Sequence, residues 1–324
     1  MGRDLFVVKK SGLLTTIQDR GRYQFLQSGL TPSGAADFYA FQVANLLLGN
    51  HKNEPALELT LVGPTLRALS TVQCCLTGAD FEAHIEGNRV SPWSVFTVKK
   101  GETIQFSYAK KGMRAYLAVT GGFAAEQAFG SASTFIKAEI GGIGGRSLAY
   151  EDVLRGREQN HHSHKARLSL QRKWIPSYHK SKYIRVMPGP EENFFTEESY
   201  QQFWQEPLRV SNQSDRMGLR LENCGLVHKD GKTDILSDAV TFGTIQVPAS
   251  GEPIILLADR QTTGGYPRIG QIISVDLPQV AQTRPGEELH FVPVTVEEAQ
   301  EEWRAYKRLL RELEREVRDL SCFS

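Results

Sequence analysis

Cysteine is scarce in this chain. Four occur in 324 residues (Cys74, Cys75, Cys224 and Cys322), with no CxxC spacing. Cys74 and Cys75 are neighbours on one apolar run, and the set reads as reduced, mostly buried thiols of a cytoplasmic protein. Long hydrophobic runs are missing too. No stretch approaches the roughly 18 apolar residues of a membrane span. The opening Met-Gly-Arg-Asp-Leu-Phe-Val-Val lacks a small-residue cleavage site and is expected to be a first strand rather than a signal peptide. Neither sign of charge is in excess: 38 Lys and Arg face 37 Asp and Glu, for a net charge of +1. That balance argues against nucleic acid as the main partner, because phosphate binding leaves a basic surplus.

Motifs of self-sufficient enzymes are absent as well. There is no GxxxxGK[ST] loop, no strand–GxGxxG–helix unit, no HExxH and no GxSxG. The run Gly141-Gly142-Ile143-Gly144-Gly145-Arg146-Ser147 has an arginine where a phosphate loop has its lysine, and its spacing is shorter. No Met-Lys-Met biotin acceptor occurs. Histidines 161, 162 and 164 sit on a basic stretch with no carboxylate or thiolate to complete a site, so a solvated loop and no metal are expected.

What the chain has is punctuation. Twenty-nine glycines and 14 prolines cut it into short apolar segments that read as strands. Leu5–Val8, Thr71–Leu76, Val95–Val98, Thr103–Ser107, Ala115–Val119, Tyr183–Val186, Thr244–Val247, Ile254–Leu257, Gln271–Val275 and Glu288–Val292 are the clearest. Helical periodicity is confined to Asp37–Leu48, Asn193–Trp204 and Val296–Leu320. The last carries a seam of Trp303, Tyr306, Leu310, Leu313, Val317 and Leu320, which suits a helix docked on its own domain or a partner-docking arm. The expected class is mainly β (α+β). The expected domains are a β-rich one at 1–160, a linker at 161–182, a second at 183–294 and a C-terminal helix at 295–324.

Polar residues concentrate in a few places. Gly12–Arg22 reads as a turn bringing together Asp19, Arg20, Arg22 and several hydroxyls, with Arg22 offering a planar fork to a carboxylate. Thr31–Asp37 leads into the first helix, where its amides suit an anion or Asp37 simply caps the helix. The densest cluster is Ala258–Arg268, a polar loop after an apolar strand, where Gly264 and Gly265 permit close backbone approach. Asp215 and Arg216 form another acid–arginine pair, and Gln246 stands alone on a strand. Asp259, Asp19 and Asp215 are the plausible proton-handling groups, since no histidine falls in these clusters.

These segments, in this order, resemble one family. They are GLLTTIQDRGR (12–22), PSGAAD (32–37), ANLLLGN (44–50), LELTLVGP (57–64), LTGADF (76–81), RAYLAVTGGF (114–123), GGIGGRSL (141–148), PGPEENFFTEE (188–198), SDRMGLRLE (214–222), GTIQVP (243–248) and ADRQTTGGYPRIGQIISVDLPQVAQTRPGE (258–287). The family is the carboxyltransferase-like one, with the allophanate hydrolase subunit 2 domain, part of urea carboxylase, the C subunit of ATP-dependent 5-oxoprolinase and an antagonist of a sporulation kinase inhibitor. The resemblance implies cyclophilin-like β-barrel domains with a few peripheral helices. It implies a homologous B subunit and an A subunit as partners, a small amide or lactam substrate, and no nucleic acid or membrane. As the C subunit of 5-oxoprolinase the chain would help convert 5-oxo-L-proline to L-glutamate at the expense of ATP, bound here, on a partner or between them. The alternatives are a carboxyltransferase subunit using biotin on urea or another amide, and a non-catalytic regulator that binds a kinase-inhibiting B subunit. Expected catalytic groups are Asp259, Arg260, Asp19 and Asp215. Expected substrate-binding residues are Arg22, Asp37, Arg216, Gln246, Gln261, Thr263, Gly264, Gly265 and Arg268. The mechanistic expectation is that the 259–263 turn and the Asp19–Arg22 pair line one cavity.

Overall fold

The structure, a computed structural model, describes residues 2–157, 168–178 and 181–322. The linker histidines 161, 162 and 164 lie outside these residues. The chain forms two compact units, one of residues 1–22, 33–178 and 310–324, the other of 23–32 and 179–309.

Two antiparallel sheets make the first unit. One has five strands in the order Leu14–Gln18, Ala56–Thr60, Arg114–Val119, Val72–Gly78 and Ser94–Val98. The other has seven, with Arg3–Lys10 paired between Val153–Gly156 and Thr65–Ala68. Phe6, Val8, Leu66 and Ile104 from one sheet join Ile17, Leu57, Leu59, Leu76 and Leu117 from the other in a single apolar core, the alternation that period-2 side chains impose. Ala56–Thr60 alternates in sequence, yet both its faces are buried. Leu57 and Leu59 enter the core. Glu58 turns the other way, where its Oε2 accepts from Tyr116 Oη at 2.7 Å and Ala36 N at 3.0 Å. The helix Phe38–Leu47 lies on that face, its Phe41 ring edge-on to Tyr116. Asp37 caps it as expected, accepting from Ala40 N at 2.9 Å.

The second unit is a closed barrel of seven strands. Around it run Ser181–Pro188, Arg268–Ile272, Thr244–Gln246, Ile254–Leu256, Gly218–Glu222, Leu208–Val210 and Glu288–Pro293, the last pairing in parallel with the first. Ile184, Val186, Val210, Leu219, Ile245, Ile255, Ile269 and Leu289 are buried at alternate strand positions. Closure removes the exposed edges that an open sheet would leave. The expected strand Gln271–Val275 ends early. Ser274–Asp276 is a 3-10 turn leading into a short helix, Leu277–Ala281. Asp276 sets the bend: its buried carboxylate accepts from Arg185 N, Nε and Nη2 at 2.8, 3.0 and 2.6 Å. Pro278 then suits the first turn of a helix.

The helix expected at Asn193–Trp204 spans Glu197–Gln205, started by Thr196, whose Oγ1 accepts from Ser199 N. The C-terminal helix runs Val296–Cys322, and of its two expected roles the structure displays docking on its own chain. Leu313 and Val317 are buried within the first unit. There Glu316 accepts from Trp174 Nε1 at 3.0 Å and pairs with Lys173 at 2.9 Å. No described helix is both long and apolar enough to cross a membrane.

Candidate functional site

The two polar clusters singled out in the sequence fall in different units, Asp19 and Arg22 in the first and residues 215–268 in the second. Each has its own geometry.

In the first unit the segment 12–22 is not one turn. Leu14–Gln18 is a strand paired with Ala56–Thr60, and the chain leaves it only at Asp19. Apolar Ile17 and alternating inward residues give that strand its core face. Asp19 is buried and its carboxylate is a hub. Oδ1 accepts from Gly21 N at 2.8 Å and from the hydroxyls of Ser131 and Ser133, both at 2.6 Å. Oδ2 accepts from Ala132 N at 2.7 Å. Arg22 spends Nη2 on the Ser133 carbonyl and Nε on the Ala128 carbonyl. Gly141 makes room for that guanidinium: a Cβ there would lie 3.1 Å from Nη2 and collide with the Ser133 carbonyl. Asp19 and Arg22 thus lock the 128–133 loop onto the strand end. Ser131 and Ser133, 112 and 114 positions from Asp19, gave no local signal in sequence.

Asp37 also works inside the first unit. Besides capping its helix it accepts from Tyr178 Oη at 3.1 Å, and its N–H donates to Tyr116 Oη at 2.8 Å. Burial first, and then the Glu58 carboxylate, push the Tyr116 phenol well above its ordinary range, so it stays protonated. The glycine run does not cradle phosphate. Gly142 N bonds the Ala132 carbonyl, Gly145 N bonds the Gly141 carbonyl, and no helix follows. The residues therefore do not fit a nucleotide triphosphate at this run.

In the second unit the barrel strand Ile254–Leu256 delivers the Ala258–Arg268 loop. Asp259 N donates to the Arg216 carbonyl and Leu257 N to the Met217 carbonyl, continuing the pairing with Gly218–Glu222. This register sets Arg216 against Asp259 as a bidentate pair, Nε to Oδ2 at 2.9 Å and Nη2 to Oδ1 at 3.0 Å, with both side chains buried. Asp215 is exposed, and its Oδ1 closes a local turn by accepting from Met217 N and Gly218 N. Gln246 is buried. Its Nε2 donates to the Tyr266 carbonyl at 3.0 Å, and its Oε1 faces Gln261 Nε2 at 3.4 Å.

Gly264 gives its space to Gln246: a Cβ there would collide with the Gln246 amide. Its strand, Thr263–Gly264, pairs with Asp238–Ala239 and leaves Thr263 exposed. Gly265 is half-buried, next to Ser237. Arg268 is engaged by Glu191 at 2.6 and 2.8 Å and by Asp238 at 2.9 Å. Those hydrogen bonds raise its pKa above the ordinary arginine value. Glu191 and Asp238, 77 and 30 positions from Arg268, were not singled out in the sequence. Glu191 at least lies within the family segment 188–198.

Arg260 differs from its neighbours. It is 3% exposed and buried Nε has no hydrogen-bond acceptor. Nη1 reaches only the Leu257 carbonyl, at 3.4 Å, and no carboxylate among the described residues pairs with it. Its backbone is fixed by Thr31, whose Oγ1 donates to the Arg260 carbonyl at 3.1 Å. Desolvation lowers its pKa, and Tyr23 partly offsets this. Burial in turn raises the Tyr23 phenol's pKa while Arg260 pulls it down. Thr31 opens the polar segment Thr31–Asp37 noted in the sequence, but neither it nor Tyr23 is among the site residues expected there. No group of His, Cys, Asp and Glu suited to a metal occurs among the described residues.

A two-sheet unit and a seven-stranded barrel, with this polar loop leaving the barrel, define a carboxyltransferase-type fold. Residues 28–293 match the family described as carboxyltransferase domain, subdomain A and B, and the chain belongs to that family. It is 39% identical to the C subunit of 5-oxoprolinase from Escherichia coli (strain K12) over 311 residues, 95% of this chain and 98% of that protein. It is equally identical to the corresponding 5-oxoprolinase C subunit of Haemophilus influenzae over 88% of this chain and 89% of that one. Among solved structures, the Kluyveromyces lactis urea carboxylase superposes with a TM-score of 0.85 at 27% identity, covering 93% of this chain. The chain spans only 28% of that much longer enzyme.

Proposed function

We propose that this chain is the C subunit of an ATP-dependent 5-oxoprolinase, acting with A and B subunits to open 5-oxo-L-proline to L-glutamate. The observation that carries the reading is the match to the Escherichia coli C subunit, 39% identical across 95% of this chain and 98% of that relative. The chemistry of the second unit is compatible. Opening the lactam puts negative charge on the carbonyl oxygen, moves a proton to the leaving nitrogen and needs the ring held still.

In this reading Gln261 holds the lactam amide, braced by Gln246 and through it by the Tyr266 carbonyl. Asp215 moves the proton, because of the three candidate carboxylates it alone keeps an oxygen with no protein hydrogen bond among the described residues. Asp259, neutralised by Arg216, positions the loop. Asp19, with Arg22, holds the first unit's loops. Thr263, Gly264, Gly265 and Arg268 shape the loop behind Gln246. Asp37 serves the helix start. ATP is assigned to a partner subunit, since the glycine run here does not suit it, and no step on this chain runs through it.

Purified with its A and B partners, the chain should release glutamate from 5-oxo-L-proline only when ATP and all three subunits are present. A complete assembly that releases none refutes the proposal. The likeness to urea carboxylase favours a second reading, carboxyl transfer from a biotin carrier to urea or another amide. Labelled bicarbonate appearing on the amide, in place of glutamate release, would select it.

A further inference from the structure

We infer that Arg260 is a receptor for the carboxylate of a small anionic substrate, so that this site selects an acid-bearing lactam or amide over a neutral one such as urea. The inference deepens the 5-oxoprolinase reading and rests on it for the location of the substrate site.

The buried and half-buried arginines of the second unit differ in how their charge is met. Arg216 is neutralised by Asp259, Arg268 by Glu191 and Asp238, and Arg185 by Asp276 and Glu302. Each of these cations has its fork filled. Arg260 is as buried as Arg216, yet among the described residues its Nε has no acceptor and its guanidinium makes one long hydrogen bond. Burying a charge without a counter-charge is costly, and a guanidinium left so is matched in geometry to an incoming carboxylate, which it can grip through two parallel N–H···O bonds. A neutral amide oxygen offers no charge to that fork. The position is not slack: the Arg260 N–H bonds the Leu257 carbonyl at 3.3 Å and its own carbonyl accepts from Thr31. The backbone that carries the guanidinium is thus held in place, which lowers part of the cost of binding.

A phosphate group has the same charge chemistry, so the test carries both sources. The full chain, assembled with its partner subunits, is titrated calorimetrically with 5-oxo-L-proline, with the neutral 5-oxo-L-prolinamide and with inorganic phosphate. Wild type should bind the acid at least about 30-fold more tightly than the amide, the range of a desolvated charge-assisted pair, and phosphate more weakly than the acid. Arg260→Met should bring acid and amide to within about threefold by weakening the acid alone, and Arg260→Lys should retain part of the preference. Arg260→Gln, which keeps a polar head without the charge, should lose the preference as the Met variant does. Equal affinity of wild type for acid and amide, an unchanged preference in the variant, or tighter binding of phosphate each overturns the inference. Failure of glutamate release counts against the parent reading instead, because acid-over-amide discrimination is read from binding.

Discussion

Replacing Asp19 by asparagine tests whether that carboxylate is a structural hub or a proton carrier. An amide keeps the shape of a carboxylate but turns one oxygen into a donor. At Asp19 neither orientation of the amide is tolerable. Oδ1 receives the Gly21 N–H and Oδ2 receives the Ala132 N–H, so either flip sets an NH2 against a backbone N–H that cannot rotate away. The Ser131 and Ser133 hydroxyls can reorient, but both point at Oδ1 and need an acceptor there or elsewhere. The variant loses at least one charge-assisted hydrogen bond and leaves a buried donor unsatisfied. Each of these costs about 1–3 kcal/mol, for a total of about 2–6 kcal/mol. That is a large share of a domain stability on the order of 5–15 kcal/mol. Urea unfolding of the full chain, followed by a probe in the first unit such as Trp93 or Trp174 fluorescence, should show the midpoint falling with an unchanged slope. Asp19→Ala should cost a similar amount, which for a carboxylate-to-amide change is the unusual part. A variant within about 0.5 kcal/mol of wild type that has nonetheless lost activity would refute the hub and return Asp19 to the role of a base.

The pair Arg216–Asp259 should behave as a buried ion pair. Arg216→Met or Asp259→Leu alone should cost about 3–5 kcal/mol by orphaning the partner, whereas the two together should cost clearly less than the sum, as a double-mutant cycle in urea will show. Gly264→Ala should displace the Gln246 amide from the Tyr266 carbonyl, costing about 1–3 kcal/mol in overpacking and lowering turnover. At Glu191, burial works to raise the carboxyl pKa, but hydrogen bonds from Arg268 outweigh it and hold the pKa below its usual value. The stability this supplies is present above the unfolded-state value and lost as pH falls through the folded one. Glu191→Gln should therefore narrow the gap in stability between pH 7 and acid, measured as thermal midpoints across that range.

How much of this was legible in the sequence varies with the range of the interaction. Leu5–Val8, Ala115–Val119 and Glu288–Val292 announce themselves because strand periodicity and flanking turn residues are local. The helix at Asp37 does so because its cap lies one residue before it. At Ala56–Thr60 the alternation Leu57-Glu58-Leu59 is local and points Glu58 to a solvent face, but Glu58 is held inside by Tyr116 and the Ala36 N–H, 58 and 22 positions away. The end of the strand near Ile272 escapes because Asp276 answers to Arg185, ninety-one positions away. Among site residues the sequence marks acids and arginines without saying which pairs with which. Asp259, Arg260 and Arg268 look alike in the loop. Only the barrel register shows that the first is taken by Arg216, the last by Glu191 and Asp238, and that Arg260 is left over.

That leftover charge has a consequence for stability that runs opposite to the usual effect of truncating a buried side chain. Arg216→Met removes a cation with a partner and strands an anion. Arg260→Met removes a cation that has no protein counter-ion among the described residues, keeps most of the apolar stem, and gives up one long hydrogen bond to the Leu257 carbonyl. Replacing buried charge by an apolar group of similar volume is often neutral or stabilising by about 1–4 kcal/mol. The ligand-free variant should accordingly melt at or above the wild-type temperature. Saturating 5-oxo-L-proline should then raise the wild-type midpoint and leave the variant's where it was, since a ligand stabilises only the state it binds. A site that carries such a cost in the empty protein fits a trade of stability for recognition. If Arg260→Met instead melts several degrees lower without ligand, the guanidinium is satisfied in the resting protein and the case for an empty receptor collapses.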